Sequence, residues 1–205
     1  MAKLSITAFL TLDGVTQPPG APAEDPSGSF THGGGMFPHV DAVFGQFMSE
    51  VFARAEAFLL GRRTYEIFVA HWPRITDPAD PIAAPLNTLP KFVASRTLDH
   101  ASWKNSLLVR DVVAEVPNLK RQFANEIQFD GSCGLAQTLI ANDLIDEYHL
   151  LTFPSVLGTG KRLFAAGAVP AALELTATRT TSKGVLIATY VRAGRPIYGS
   201  FALEN

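Results

Sequence analysis

One cysteine in 205 residues, Cys133, leaves nothing for an internal disulfide framework and too little sulfur for a Cys-rich zinc site. That usage fits a reducing compartment. The five histidines, His32, His39, His71, His100 and His149, lack ligand spacings such as H-E-x-x-H, so no metal is expected. Neither sign of charge dominates: 17 basic against 19 acidic residues, spread along the chain, give a net charge of −2 and no footprint for a nucleic-acid partner. Long apolar runs are missing too. Stretches such as Ala57-Phe58-Leu59-Leu60 fall far short of the roughly 20 residues a membrane helix needs. Met1-Ala2-Lys3-Leu4-Ser5-Ile6 passes directly into an alternating pattern without an export-type series, so a cytoplasmic location is expected. No repeat, low-complexity tract or shift in composition marks a boundary, and a single domain over 1–205, with a core of about 3–192, is expected.

What is present is apolar periodicity. Residues 3–10 alternate with period two and predict a strand. A stretch rich in Pro, Gly and Ser follows over residues 14–38, too broken for an element and long enough to suggest a functional or disordered loop. From Val40, the residues Val43, Phe44, Phe47, Met48, Val51, Phe52 and Ala55 recur at offsets of three and four, predicting an amphipathic helix. Three strand-turn units follow: Glu56–Leu60 into Gly61-Arg62-Arg63-Thr64 and a helix to about His71, Lys91–Ala94 into Ser95-Arg96, and Glu126–Asp130 into Gly131-Ser132-Cys133-Gly134 and a helix to about Asn142. Such alternation predicts a mainly parallel sheet with helices on both faces. Asp146–Phe153, Ala172–Thr181 and Val185–Arg192 are strand-like without intervening helices, and Thr181-Ser182-Lys183-Gly184 reads as a hairpin turn, so an antiparallel C-terminal edge is expected.

In sheets of this kind ligands bind at the carboxyl ends of the strands. Gly61, Arg62, Arg63 and Thr64 place two guanidinium groups at a helix N-terminus, where the macrodipole disfavours cations unless an anion lies nearby. Their other reading is two solvated arginines. Ser95 and Arg96 suit a terminal phosphate or an ordinary turn. Gly131, Ser132, Cys133, Gly134 and Leu135 join a strand to a helix, where missing side chains let backbone N–H groups approach a pyrophosphate; the alternative is a tight turn with Ser132 as N-cap. Together the three turns point to a phosphorylated dinucleotide, and arginine rather than a carboxylate beside the ribose favours NADPH over NADH. The spacing is not G-x-G-x-x-G. Nor is it a nucleophile elbow, because Leu135 stands where Cys133 would need a glycine.

The ordered series Leu12-Asp13-Gly14, Leu60 to Tyr65, Lys91 to Leu98, Gly131-Ser132, Asp143 to Leu150 and Pro154 to Phe164 resembles the dihydrofolate-reductase-like superfamily. The similarity is to the branch of the C-terminal reductase domain of riboflavin-biosynthesis deaminase-reductases, and it runs from about residue 3 to 192. It implies a three-layer α/β fold and an NADPH-dependent reductase. By position, Gly61 to Thr64 would take the 2′-phosphate and pyrophosphate, Ser95 and Arg96 a second adenosine-phosphate contact, and Gly131 to Leu135 the pyrophosphate. The nicotinamide would lie against the first strand and Asp13-Gly14-Val15, with Met48, Tyr65, Trp72 and Phe153 as candidate substrate walls or plain core.

Folate reductases carry a carboxylate inside the first helix, but that interior here reads Phe44-Gly45-Gln46-Phe47-Met48, which argues against dihydrofolate. The expected substrate is a small heterocycle, pterin-like or an aminopyrimidine riboside. Asp13 is a candidate proton donor or anchor, or simply a turn-forming residue. A non-catalytic NADP-binding sensor or partner domain is the alternative function. A homodimer is expected from the branch, with the late strands and Pro196-Ile197-Tyr198-Gly199 as surface.

Overall fold

The fold is built outward from β1 (Lys3–Thr11), whose alternation buries both faces: Leu4, Ile6, Ala8 and Leu10 on one side, Ser5 and Thr7 on the other. The computed structural model describes residues 1–17, 20–22 and 24–201. After the segment between residues 14 and 41 comes α1 (Ala42–Arg54). Asp41 caps it, accepting from the Phe44 N–H at 2.9 Å, and so the helix begins two residues later than the apolar pattern at Val40 suggests. Its buried residues, Phe44, Phe47, Met48, Val51 and Phe52, form the stripe predicted for it.

The chain continues through β2 (Ala55–Gly61), α2 (Arg62–His71), α3 (Ala83–Thr88), β3 (Lys91–Ala94), β4 (Ser106–Val109) and α4 (Val112–Gln122). Then come β5 (Glu126–Asp130), α5 (Cys133–Ala141), β6 (Glu147–Phe153), β7 (Leu173–Thr180) and β8 (Leu186–Arg192). The strands form one sheet in the order β4-β3-β2-β5-β1-β6-β8-β7. Pairings from β4 through β6 are parallel, whereas β6 with β8 and β8 with β7 are antiparallel. The expected mixed sheet and its antiparallel edge are therefore observed. The β7–β8 turn lies where it was predicted, with the Thr181 N–H donating to Val185 O at 2.9 Å.

Three elements escape a reading of periodicity. α4 carries Pro117 in its interior, a residue that normally stops a helix, and α3 is six residues long. β4 is four residues with Leu107 exposed. Two cores flank the sheet. Leu4, Ile6, Leu59, Ile127 and Phe129 pack with Val116 and Leu119 of α4 and Leu139 of α5. On the opposite face Phe58, Leu60, Val93, Leu151 and Phe153 pack under α1, α2 and α3. This is a three-layer α/β fold. Among the described residues no helix is long and apolar enough to cross a membrane.

Candidate functional site

Parallel pairing in the order β2-β5-β1 brings the exits of these strands to one edge of the sheet. There the two glycine turns lock together. The Thr64 and Ser132 hydroxyls lie 2.9 Å apart, joining the first turn of α2 to the start of α5. A Cβ on Gly61 would sit 1.9 Å from Ser132 Oγ, so only glycine fits. Gly131 and Ser132 both have positive φ, 65° and 57°, and a Cβ on Gly131 would also press on Thr64 Oγ1 at 2.9 Å. Ser132 thus does not act as the side-chain N-cap suggested by its position; its hydroxyl faces Thr64 instead. Neither α2 nor α5 has a side-chain cap. Two helix N-termini therefore turn orphan N–H groups toward the same edge, an arrangement suited to an anion.

The basic groups differ in how they are engaged. Arg62 is half exposed, 3.9 Å from Glu66. Arg63 Nη1 donates to Asp25 Oδ1, and Lys161 Nζ donates to Asp25 Oδ2 at 2.5 Å. Gln17 is tied in at the same point, its Nε2 donating to the Asp25 and Ser27 carbonyls at 3.0 and 2.8 Å. Burial pushes the Asp25 carboxyl up, but the hydrogen bonds from Lys161 and Ser27 outweigh it and hold the group at about 2. A cavity of about 270 Å³ opens beside this network, lined by Gln17, Ser27, Phe30, Thr159 and Lys161 among others.

Ser95 is buried at the exit of β3, its Oγ accepting from the Leu98 N–H at 2.9 Å, so it shapes the turn and retains only its own hydrogen for a ligand. Arg96 is exposed beside it. Cys133 opens α5, half-buried, with Sγ 3.8 Å from Thr16 O; burial raises its thiol. Gly134 is exposed and Leu135 partly buried in the same first turn.

For the remaining candidates the structural reading of each is the one observed. Asp13 is engaged in a turn. It accepts from Thr11 Oγ1 at 2.6 Å, Leu157 N–H at 3.2 Å and Gly158 N–H at 2.8 Å. The Thr11 bond leads in holding its carboxyl at about 2, so it is an ionised anchor that ties β1 to the 154–164 segment. Val15 is buried in a bridge with Arg162 rather than lining open space. Met48, Tyr65 and Phe153 belong to the core, with Tyr65 Oη accepting from the Trp103 N–H at 2.8 Å. Trp72 follows the C-terminal end of α2, a helix length of about 15 Å from the Arg62 end.

One residue of the site has no counterpart among the sequence candidates. Asp130 ends β5 between Thr7 of β1 and Leu60 of β2, immediately before Gly131. It is 5% exposed; Oδ1 accepts from Gln128 Nε2 at 3.3 Å, and Oδ2 has no hydrogen-bond partner among the described residues. Burial pushes its carboxyl up to about 7. It tops a polar seam on the α1 face, where Ser5, Thr7, Glu126 and Gln128 bond to one another. The signal in the sequence was Glu126, Gln128 and Asp130 at alternate positions of a strand whose other face is apolar. Among the described residues no group of His, Cys, Asp and Glu side chains is placed to hold a metal ion.

The mixed sheet in this strand order, with helices on both faces, is the dihydrofolate-reductase-like fold. Within it the chain belongs to the RibD C-terminal domain family, whose profile matches residues 2–187. It is 28% identical over 152 residues to the uncharacterized protein YyaP of Bacillus subtilis, covering 73% of this chain and 79% of that one. A putative riboflavin biosynthesis protein from Shewanella sp. PV-4 superposes with a TM-score of 0.64 at 21% identity, over 93% of this chain and 99% of the other. Dihydrofolate reductase from Enterococcus faecalis, complexed with NADP(H), superposes at 0.59 with 15% identity, over 93% and 96%.

Proposed function

We propose that this protein is an NADPH-dependent reductase acting on a small heterocyclic substrate of the aminopyrimidine-riboside or pterin-like type. The observation that carries the reading is the pair of uncapped helix N-termini, locked by Gly61, Thr64, Gly131 and Ser132 and flanked by Arg62 and Arg63. Backbone N–H groups of Cys133, Gly134 and Leu135 would hold the pyrophosphate. Arg62, with Ser95 and Arg96 at the neighbouring strand exit, would hold the adenosine-side phosphate. Bound NADPH supplies the hydride.

The chain's own residues supply position and a proton. Asp130, with one oxygen unpartnered and a carboxyl at about 7, is half-protonated near neutrality, the condition in which one side chain can donate to or accept from a ring nitrogen. Asp130 is 5% exposed, and shelter from water serves hydride transfer more than a nucleophile would. Family membership and the NADP(H) complex of the Enterococcus reductase support the same reading. NADPH fluorescence titration, followed by turnover with aminopyrimidine ribosides and pterins, tests it. Failure of NADPH to bind at micromolar to millimolar concentration would refute it at its first step.

The assembly we propose is a homodimer. It is supported by large apolar side chains left exposed on the β7–β8 edge and tail, among them Leu175 at 50%, Ile197 at 98% and Tyr198 at 80%.

A further inference from the structure

Arg63 lies in the first turn of α2, where the helix dipole repels a cation unless an anion is near. The anion in this structure is internal. Asp25 takes Arg63 Nη1 on one oxygen and Lys161 Nζ, at 2.5 Å, on the other, and its side chain is only 10% exposed. Both cations keep donors toward solvent, since Arg63 is 50% and Lys161 42% exposed. Cys133, the first residue of α5, belongs to the same neighbourhood: its Sγ lies 3.8 Å from Thr16 O, and the Thr16 N–H donates to Lys161 O at 2.8 Å. A carboxylate held by a guanidinium and an ammonium beside two uncapped helix N-termini occupies the place that a phosphate group would fill best: more charge, more acceptor oxygens, and access to orphan N–H groups that Asp25 does not reach.

We propose that Asp25 is a built-in stand-in for phosphate, seated on Arg63 and Lys161 in the nucleotide-free chain and displaced by the cofactor's pyrophosphate. The inference rests on the dinucleotide reading of the site. It makes Asp25 a competitor that sets phosphate affinity, and it links nucleotide binding to loss of the Ser27 hydrogen bonds to Asp25. Ser27 reports the displacement, because its N–H and Oγ both donate to Asp25 Oδ1, at 3.2 and 2.6 Å.

Titration calorimetry of the full chain with inorganic pyrophosphate, and separately with NADPH, tests this in wild type, Asp25→Asn and Arg63→Ala. Asp25→Asn removes the competing charge and should tighten pyrophosphate by roughly three- to tenfold, the worth of one or two partly exposed ion pairs. Arg63→Ala should weaken it. Unchanged or weaker pyrophosphate binding by Asp25→Asn would overturn the proposal, as would no pyrophosphate binding by either protein. Hydrogen exchange of wild type provides a second readout that needs no variant: saturating pyrophosphate should speed exchange at the Ser27 amide, and unchanged or slower exchange overturns displacement. Tight pyrophosphate without NADPH binding would sink the reductase reading while leaving displacement supported, so the two failures are distinguishable.

Discussion

Replacing Asp130 by asparagine tests the buried carboxyl at the centre of the site. The substitution keeps shape and removes the titration. In the native chain the group holds its proton up to about 7, against an ordinary 3.8. Between those values the folded state binds more protons than the unfolded state. The group's contribution to stability therefore falls as pH rises from 3.8 to about 7, and is flat above. Three pH units at about 1.4 kcal/mol each give a native-state cost of about 4 kcal/mol at pH 8 that is absent at pH 4. Asparagine carries no such cost. Asp130→Asn should therefore gain stability over wild type as pH rises, by about 4 kcal/mol between pH 4 and 8, or roughly 8–16 °C in Tm for a chain of this size. Urea or thermal melts of both proteins at half-unit pH steps measure it. A wild-type-to-variant difference that does not change between pH 4 and 8 would refute the assignment of a buried, unpartnered carboxyl. The same variant should lose turnover if Asp130 moves the proton, while its NADPH affinity stays near wild type.

Arg62→Ala with Arg63→Ala should weaken NADPH by about tenfold to a hundredfold, the worth of one or two charged hydrogen bonds, and NADH much less; equal losses in titration would remove the 2′-phosphate assignment. Gly61→Ala drives a methyl to 1.9 Å from Ser132 Oγ and should cost about 1–3 kcal/mol in urea melts while impairing NADPH binding; an unaffected variant would mean that the turns are not locked as described. Glu126 is pushed up by burial but held at about 2 by the neighbouring His149 ring, 3.9 Å away, and by hydrogen bonds from Ser5 and Arg54, so its stabilisation is present above pH 4.5 and lost as pH falls toward 2. Relative to wild type, Glu126→Gln should lose about 3 kcal/mol at neutral pH and nothing near pH 2, a trend checked by acid titration of the melts. Light scattering should give twice the chain mass, and a monomer at tens of micromolar would refute the dimer.

Local pattern was enough for much of this protein. Period-two alternation in β1 and the three-and-four spacing of α1 reflect faces that each element must bury wherever it packs, and so they are written along the chain. The strand-glycine-helix turns at Gly61 and Gly131 were legible for a similar reason: positive φ or close approach admits few residue types. α4 was not legible, because Pro117 breaks the local rule and only packing of Val116 and Leu119 against the sheet holds the helix there.

The site divides along the same line. The turns with Arg62, Arg63, Ser95 and Arg96 could be found from sequence because each is local. Strand order alone decided that Gly61 and Ser132, 71 positions apart, share one space. Whether a carboxyl is a proton donor depends on what surrounds it, which the chain does not state locally. Asp13 accepts bonds from residues 157 and 158 and stays ionised, while Asp130, buried between two strands with an oxygen unmatched, keeps its proton near neutrality. By itself the sequence determined the elements and the turns able to face a phosphate. Tertiary structure decided which carboxyl holds a proton and which anion Arg63 already holds, because desolvation and pairing are properties of the assembled neighbourhood.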